Sequence, residues 1–101
     1  MRLKFKDSKK TKSHLKTLAL YVPVVARVHG GSHPEFYEVS DAYDRLVQKI
    51  KSSGSGSLDL TEEFDTLRSI TSGYTVPDDV CESYQAVYDI LQELDNAYRA
   101  L

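Results

Sequence analysis

The apolar positions of this chain fall at alternating intervals of three and four. Leu15, Leu18, Val22 and Val25 lead to His29 in that rhythm, and Phe36, Val39, Tyr43, Leu46 and Ile50 repeat it after a break. The last segment is the most regular, with Val80, Tyr84, Val87, Leu91, Leu94, Tyr98 and Leu101 alternating four and three for three heptads. Intervals of this kind place one stripe of side chains along one side of an α-helix, the stripe that a helix buries against its neighbours. No stretch of comparable length alternates with the period of two that a strand requires.

Turn and cap residues divide the pattern into four helices, at about 8–29, 33–51, 60–72 and 77–100. Gly30 and Gly31 end the first. Ser32 and Glu35 stand at capping-box spacing with Pro34 in the first turn, so the second is expected to start there. Asp59 and Glu62 repeat the arrangement for a short helix that ends near Gly73, and Thr75, Pro77 and Asp78 open the last. Pro23 lies inside the first pattern, where its missing N–H and its ring cost about 3 kcal/mol unless the helix kinks or restarts, so the first helix is expected to kink there. The expected fold is all-α, an antiparallel four-helix bundle in a single domain covering 1–101. Residues 52–57, a run of serine and glycine, form a flexible linker between the two helical pairs.

Composition is that of an ordinary globular domain, at 101 residues with 41% hydrophobic and 28% charged positions. Its one cysteine, Cys81, has no partner for an internal disulfide, which makes a reducing cytoplasm the expected location. A basic start followed by the apolar residues 18–26 loosely resembles a secretory signal. Pro23 interrupts the apolar part, however, and no small-x-small cleavage site follows cleanly. That stretch is also far short of the roughly 20 residues that a membrane-spanning helix needs.

The net charge of -2 conceals an asymmetry. Residues 1–16 hold Arg2, Lys4, Lys6, Lys9, Lys10, Lys12 and Lys16 against Asp7 alone, while the remainder carries 14 of the 15 acidic residues and six of the 13 basic ones. Residues 1–12 therefore read as a basic, mobile arm, suited either to an anionic partner or to lying on its own acidic body. With Phe5 as its only aromatic and no second basic cluster, the arm gives no nucleic-acid footprint.

Chemistry is concentrated around the helix break. His29 occupies the next seam position of its helix, where it either ligates a metal or caps the helix end by interacting with the last carbonyls. His33 lies across the glycines from it. Two residues of turn allow both imidazoles to reach one ion, with Glu35 or Cys81 as a third ligand, since zinc and iron accept mixed nitrogen, oxygen and sulfur sets. Glu35 has a competing role in the capping box, and a lone cysteine is usually a small core side chain. His14 is about 22 Å from His29 along one helix, so its metal partners must come from other helices, which contain no histidine. There is no GxSxG, no phosphate loop, no HExxH and no DxDxDG, and no nucleophile–base pair, so catalysis is not expected. Asp78/Asp79 and Glu62/Glu63 fit helix starts, and the tyrosines fit core spacing.

The run Val25-Ala26-Arg27-Val28-His29-Gly30, followed by His33-Pro34-Glu35, resembles the VARVHGxxHPE stretch of the RIC proteins. These are hemerythrin-like di-iron proteins linked to repair of stress-damaged iron-sulfur clusters. Residues 59–64 and 76–84 resemble the later part of a short form of that family, and the short-form likeness covers most of 13–98. The resemblance implies a cytoplasmic helical bundle with a role near iron or oxidative stress, and it makes His14 the nearer analogue of the family's first-helix ligand. Full-length members carry histidine-x-x-x-glutamate pairs on later helices, which this chain lacks. Two readings follow. One is an iron-associated, stress-linked accessory protein, binding iron through His14, or through His29 with His33 and Glu35, completed by carboxylates or a second subunit. The other is a small helical interaction module that has lost the family's metal site, using the basic arm or the seam of Val80, Tyr84, Val87, Leu91, Leu94 and Tyr98 to form a homodimer or bind a protein partner.

Overall fold

The computed structural model describes Phe5 and residues 8–53 and 58–100, which form four α-helices and, among those residues, no strand. They are α1 (Lys9–His29), α2 (Glu35–Ser52), α3 (Thr61–Ile70) and α4 (Glu82–Arg99). Cross-helix contacts fix their directions. His29 at the end of α1 meets Cys81 at the start of α4, while His14 near the start of α1 meets Glu93 late in α4. Lys49 near the end of α2 pairs with Glu63 at the start of α3, and α3 pairs with α4 in reverse order, Asp65 with Arg99 and Arg68 with Asp95. Each helix runs antiparallel to the next, and α4 returns beside α1. The bundle measures 43 × 22 × 22 Å.

The expected seams form the core. Leu18, Val22 and Val25 of α1, Phe36, Val39, Tyr43 and Leu46 of α2, Phe64 and Leu67 of α3, and Tyr84, Val87, Leu91 and Leu94 of α4 are all buried. Burying aliphatic and aromatic side chains of this size contributes about 1.5–3 kcal/mol each. Because the α4 seam packs inward, Tyr84, Val87, Leu91 and Leu94 present no surface to a partner in this fold. Phe5 packs edge-on against Phe64 and Tyr98, so this part of the basic N-terminus is anchored on the core. Residues 9–12 of the expected arm belong to α1, whose N-cap is Ser8. The rest of the arm, and most of the expected linker (54–57), lie outside the described residues.

Helix starts differ from expectation. α1 runs through Pro23 without restarting, with the proline on its exposed side, so the Ala19 carbonyl that loses its donor faces water. No Ser32–Glu35 capping box forms: Pro34 is the N-cap of α2, and the Glu35 carboxylate turns toward His33 and Tyr84. Leu60, not Asp59, is the N-cap of α3, and Asp59, one residue before it, accepts a hydrogen bond from the Thr61 N–H at 3.0 Å. α4 starts at Glu82, five residues later than expected, because 77–81 complete the connection from α3.

That connection contains three consecutive left-handed residues, Ser72 (φ 52°), Gly73 (φ 72°) and Tyr74 (φ 64°). Glycine adopts this conformation freely, whereas other L-residues pay about 1–2 kcal/mol. Tyr74 is held there by its N–H donating to Thr71 Oγ1 at 2.8 Å and its hydroxyl donating to Asp95 Oδ2 at 2.6 Å. Ser72 is exposed, and among the described residues its side chain makes no such compensating hydrogen bond; its N–H reaches the Ser69 carbonyl only at 3.5 Å. Ser72→Gly is therefore expected to stabilise the protein by about 0.5–1 kcal/mol; urea unfolding that shows no gain would place the strain elsewhere.

Candidate functional site

The α1–α2 turn and the α3–α4 connection lie at the same end of the bundle, because successive helices run antiparallel. Their meeting brings together residues that are distant in sequence. His29 Nε2 lies 3.0 Å from Cys81 Sγ. His33 stands between two carboxylates, Nδ1 3.0 Å from Glu35 Oε1 and Nε2 3.1 Å from Asp79 Oδ1. A protonated imidazole donates to both; a neutral one keeps only one of the two bonds.

Tyr84 is the platform beneath them. Its ring meets those of His29 and His33 edge-on at 5.5 Å and packs against Phe36 at 5.0 Å. Its hydroxyl is 3.1 Å from that of Tyr88 and 3.5 Å from Glu35 Oε1. Burial pushes both phenols above the ordinary tyrosine range; the shared hydroxyl contact and the Glu35 carboxylate raise Tyr84 further. Beside this cluster is an open cavity of about 300 Å³ lined by Glu35, Ile70, Thr71, Ser72, Thr75, Pro77 and Tyr88.

His14 stands apart. Fifteen residues of continuous helix separate it from His29 by about 22 Å. Its Nε2 is 2.8 Å from Glu93 Oε2, yet the nitrogen is buried without a hydrogen bond, so the carboxylate lies close but out of line with the ring N–H. The four expected ligands, His14, His29, His33 and Glu35, are thus not gathered around one point. His29 faces Cys81, His14 faces Glu93, and the carboxylates at His33 sit on opposite ring nitrogens, where they cannot share one ion with it. Among the described residues no three His, Cys, Asp or Glu side chains form a group that could hold a metal ion. A hemerythrin-like di-iron centre, with several imidazoles and bridging carboxylates around two irons, does not fit this donor set.

No family model, curated protein or solved structure matches the chain. The likeness to the iron-centre repair proteins therefore rests on the sequence segments quoted above. Sequence reasoning named His14, His29, His33, Glu35 and Cys81 but missed Glu93 as the neighbour of His14, and Asp79, Tyr84 and Tyr88 as neighbours of the others. For Asp79 the signal was the Asp78/Asp79 pair, read as a helix start; it lies instead in the loop that closes over His33.

A second feature is on the surface. Among the described residues the exposed large apolar side chains are Leu20, Tyr21, Val24 and Val28 of α1 and Tyr37 of α2. Apart from Tyr37 they fall on one helix, and that helix contains no acidic residue. None of the described helices is long and apolar enough to cross a membrane.

Proposed function

We propose that this chain is a small helical interaction module, a bundle that presents a binding face rather than a reaction centre. The observation that carries this reading is the stripe of Leu20, Val24 and Val28, one turn apart and exposed along α1. Isolated exposed leucines or valines are ordinary, but contiguous apolar residues on a monomer mark a place where something docks. The three separate settings of the histidines support the same reading. A photo-crosslinking amino acid in place of Val24 is expected to give a discrete protein adduct in cells, while the same group in place of exposed Gln48 gives none. Equal or absent adducts at both positions would reject the reading.

A second reading, an iron-associated and stress-linked accessory protein of the cytoplasm, is favoured by the contact between His29 and Cys81. On a tetrahedral ion with ordinary bond lengths, such nitrogen and sulfur donors lie about 3.5 Å apart. Opening the observed 3.0 Å by about half an ångström would make them one edge of a coordination shell, the remaining ligands coming from outside the chain. Under this reading, protein reconstituted anaerobically with ferrous iron retains it after desalting and loses it on Cys81→Ser or His29→Gln. Wild-type protein that leaves the column iron-free ends it.

A further inference from the structure

The outward side of α1 has two properties that together specify what it fits. Its buried residues Thr11, Leu18, Val22 and Val25 define the inward side. At about 100° per residue, Leu20, Val24 and Val28 lie within about 40° of a common line that is about 130° round the helix from the middle of the inward side. They are 66%, 41% and 62% exposed. Tyr37 extends the apolar area past the end of the helix: it lies over Gly30, where a Cβ would fall on the tyrosine ring and on the Ala26 carbonyl.

The charge that α1 itself carries on this side has one sign, and the exposed Glu93 of α4 borders it only beside Lys10. Lys9, Lys16 and Arg27 lie along one edge of the stripe, within about 80° of the Val24 direction, and Lys10 lies above it. All are exposed, and none is paired with a carboxylate among the described residues. Beyond residue 16 the chain has 14 acidic residues against six basic ones, so an anion approaching this protein is favoured on α1 and repelled elsewhere.

A second copy of the chain does not answer this description. Among the described residues its only comparable apolar face is the same acid-free helix, and pairing two of them sets like charges opposite one another. An anionic membrane matches the charge of α1, but contact over only about two turns of apolar helix also brings the acidic body toward the lipid. Resting on the interaction-module reading, we propose that α1 docks an acidic amphipathic helix of another protein. That helix packs apolar residues, one turn apart, onto Leu20, Val24 and Val28, and sets carboxylates against Lys16 and Arg27, as in helix-in-groove recognition.

The test uses the full chain and three probes: a synthetic helical peptide with leucines one turn apart flanked by glutamates, the same peptide with lysines for glutamates, and vesicles of phosphatidylcholine with phosphatidylglycerol. The expected result is binding of the glutamate peptide alone, weakened about tenfold or more by Leu20→Ser with Val24→Ser and by Lys16→Glu with Arg27→Glu. Added salt should weaken it as well. Both pairs of substitutions lie on the solvent side, and circular dichroism verifies that the variants fold. Binding of the lysine peptide with equal strength, or preference for the vesicles, overturns the partner chemistry while leaving α1 as a binding face. Failure of every probe to bind, with no crosslink through position 24, overturns the interaction reading as well.

Discussion

Replacing Asp95 with alanine is expected to destabilise the fold by about 3 kcal/mol, the lower end of what breaking a buried ion pair costs. Asp95 is fully buried in α4, and its two oxygens accept four hydrogen bonds. Oδ1 takes one from Arg68 Nη2 at 3.1 Å and one from Arg99 Nε at 2.5 Å; Oδ2 takes one from Arg68 Nε at 2.7 Å and one from the Tyr74 hydroxyl at 2.6 Å. The carboxylate thereby ties α3, the left-handed turn and the last turn of α4 to one point. Arg68 and Arg99 are partly exposed and recover water when Asp95 is removed, which keeps the loss at the lower end. Buried Tyr74 cannot recover, and its hydroxyl is left without an acceptor. For a domain of this size the loss lowers Tm by about 15 °C. A shift within a few degrees of wild type would show that water satisfies the arginines and the tyrosine as well as Asp95 does.

Acid should act through the same residue. Burial alone would raise the Asp95 carboxyl, but the hydrogen bonds from Tyr74, Arg68 and Arg99 outweigh it and hold the group below the ordinary aspartate range. A carboxyl depressed in the folded state stabilises the fold fully above its unfolded value, about 3.9, and loses that contribution as pH falls through the folded value. Wild-type stability should therefore fall below about pH 4, and Asp95→Asn should flatten that part of the profile while lowering stability at neutral pH.

The four helices were legible because each seam is a local pattern: intervals of three and four place side chains on one side whatever the rest of the chain does. Their ends were less legible, because cap residues have competing partners. Glu35 has capping-box spacing from Ser32, yet its carboxylate meets the imidazole of His33 two residues away and the Tyr84 hydroxyl from α4, and these partners prevailed over the cap. Pro77 and Asp78 carry helix-start chemistry but serve a connection whose left-handed residues include Tyr74, a type that sequence does not mark for that conformation. The site was half legible. His29, His33 and Glu35 are close in sequence, but His29 meets Cys81 across 52 positions and Arg68 meets Asp95 across 27, so only the folded chain shows these pairings. The α1 stripe was concealed by its own neighbours. Residues 18–26 are apolar nearly all round, and assigning Leu18, Val22 and Val25 to the core leaves Leu20 and Val24 unassigned, which was the available signal for a second apolar side.

Tyr84 offers the sharpest separation between packing and polar contributions at the site. Truncating it to alanine removes a fully buried ring that touches His29, His33, Phe36 and Tyr88, and a loss of about 3–5 kcal/mol is expected, as for other large aromatic-to-alanine changes. Against a total stability of about 5–15 kcal/mol this leaves the chain barely folded. Tyr84→Phe keeps the ring and removes only the hydroxyl; besides the long 3.5 Å contact to partly exposed Glu35, its cost comes from Tyr88, whose hydroxyl loses its 3.1 Å partner within the core. An unpartnered buried hydroxyl costs about 1–3 kcal/mol, and the double change Tyr84→Phe with Tyr88→Phe removes both halves of that pair. The double variant should therefore be at least as stable as Tyr84→Phe alone. Chemical denaturation of the three variants separates the two contributions. If the double variant is less stable than the single one by more than 1 kcal/mol, the Tyr88 hydroxyl has another buried acceptor and the pairing assigned to it is wrong.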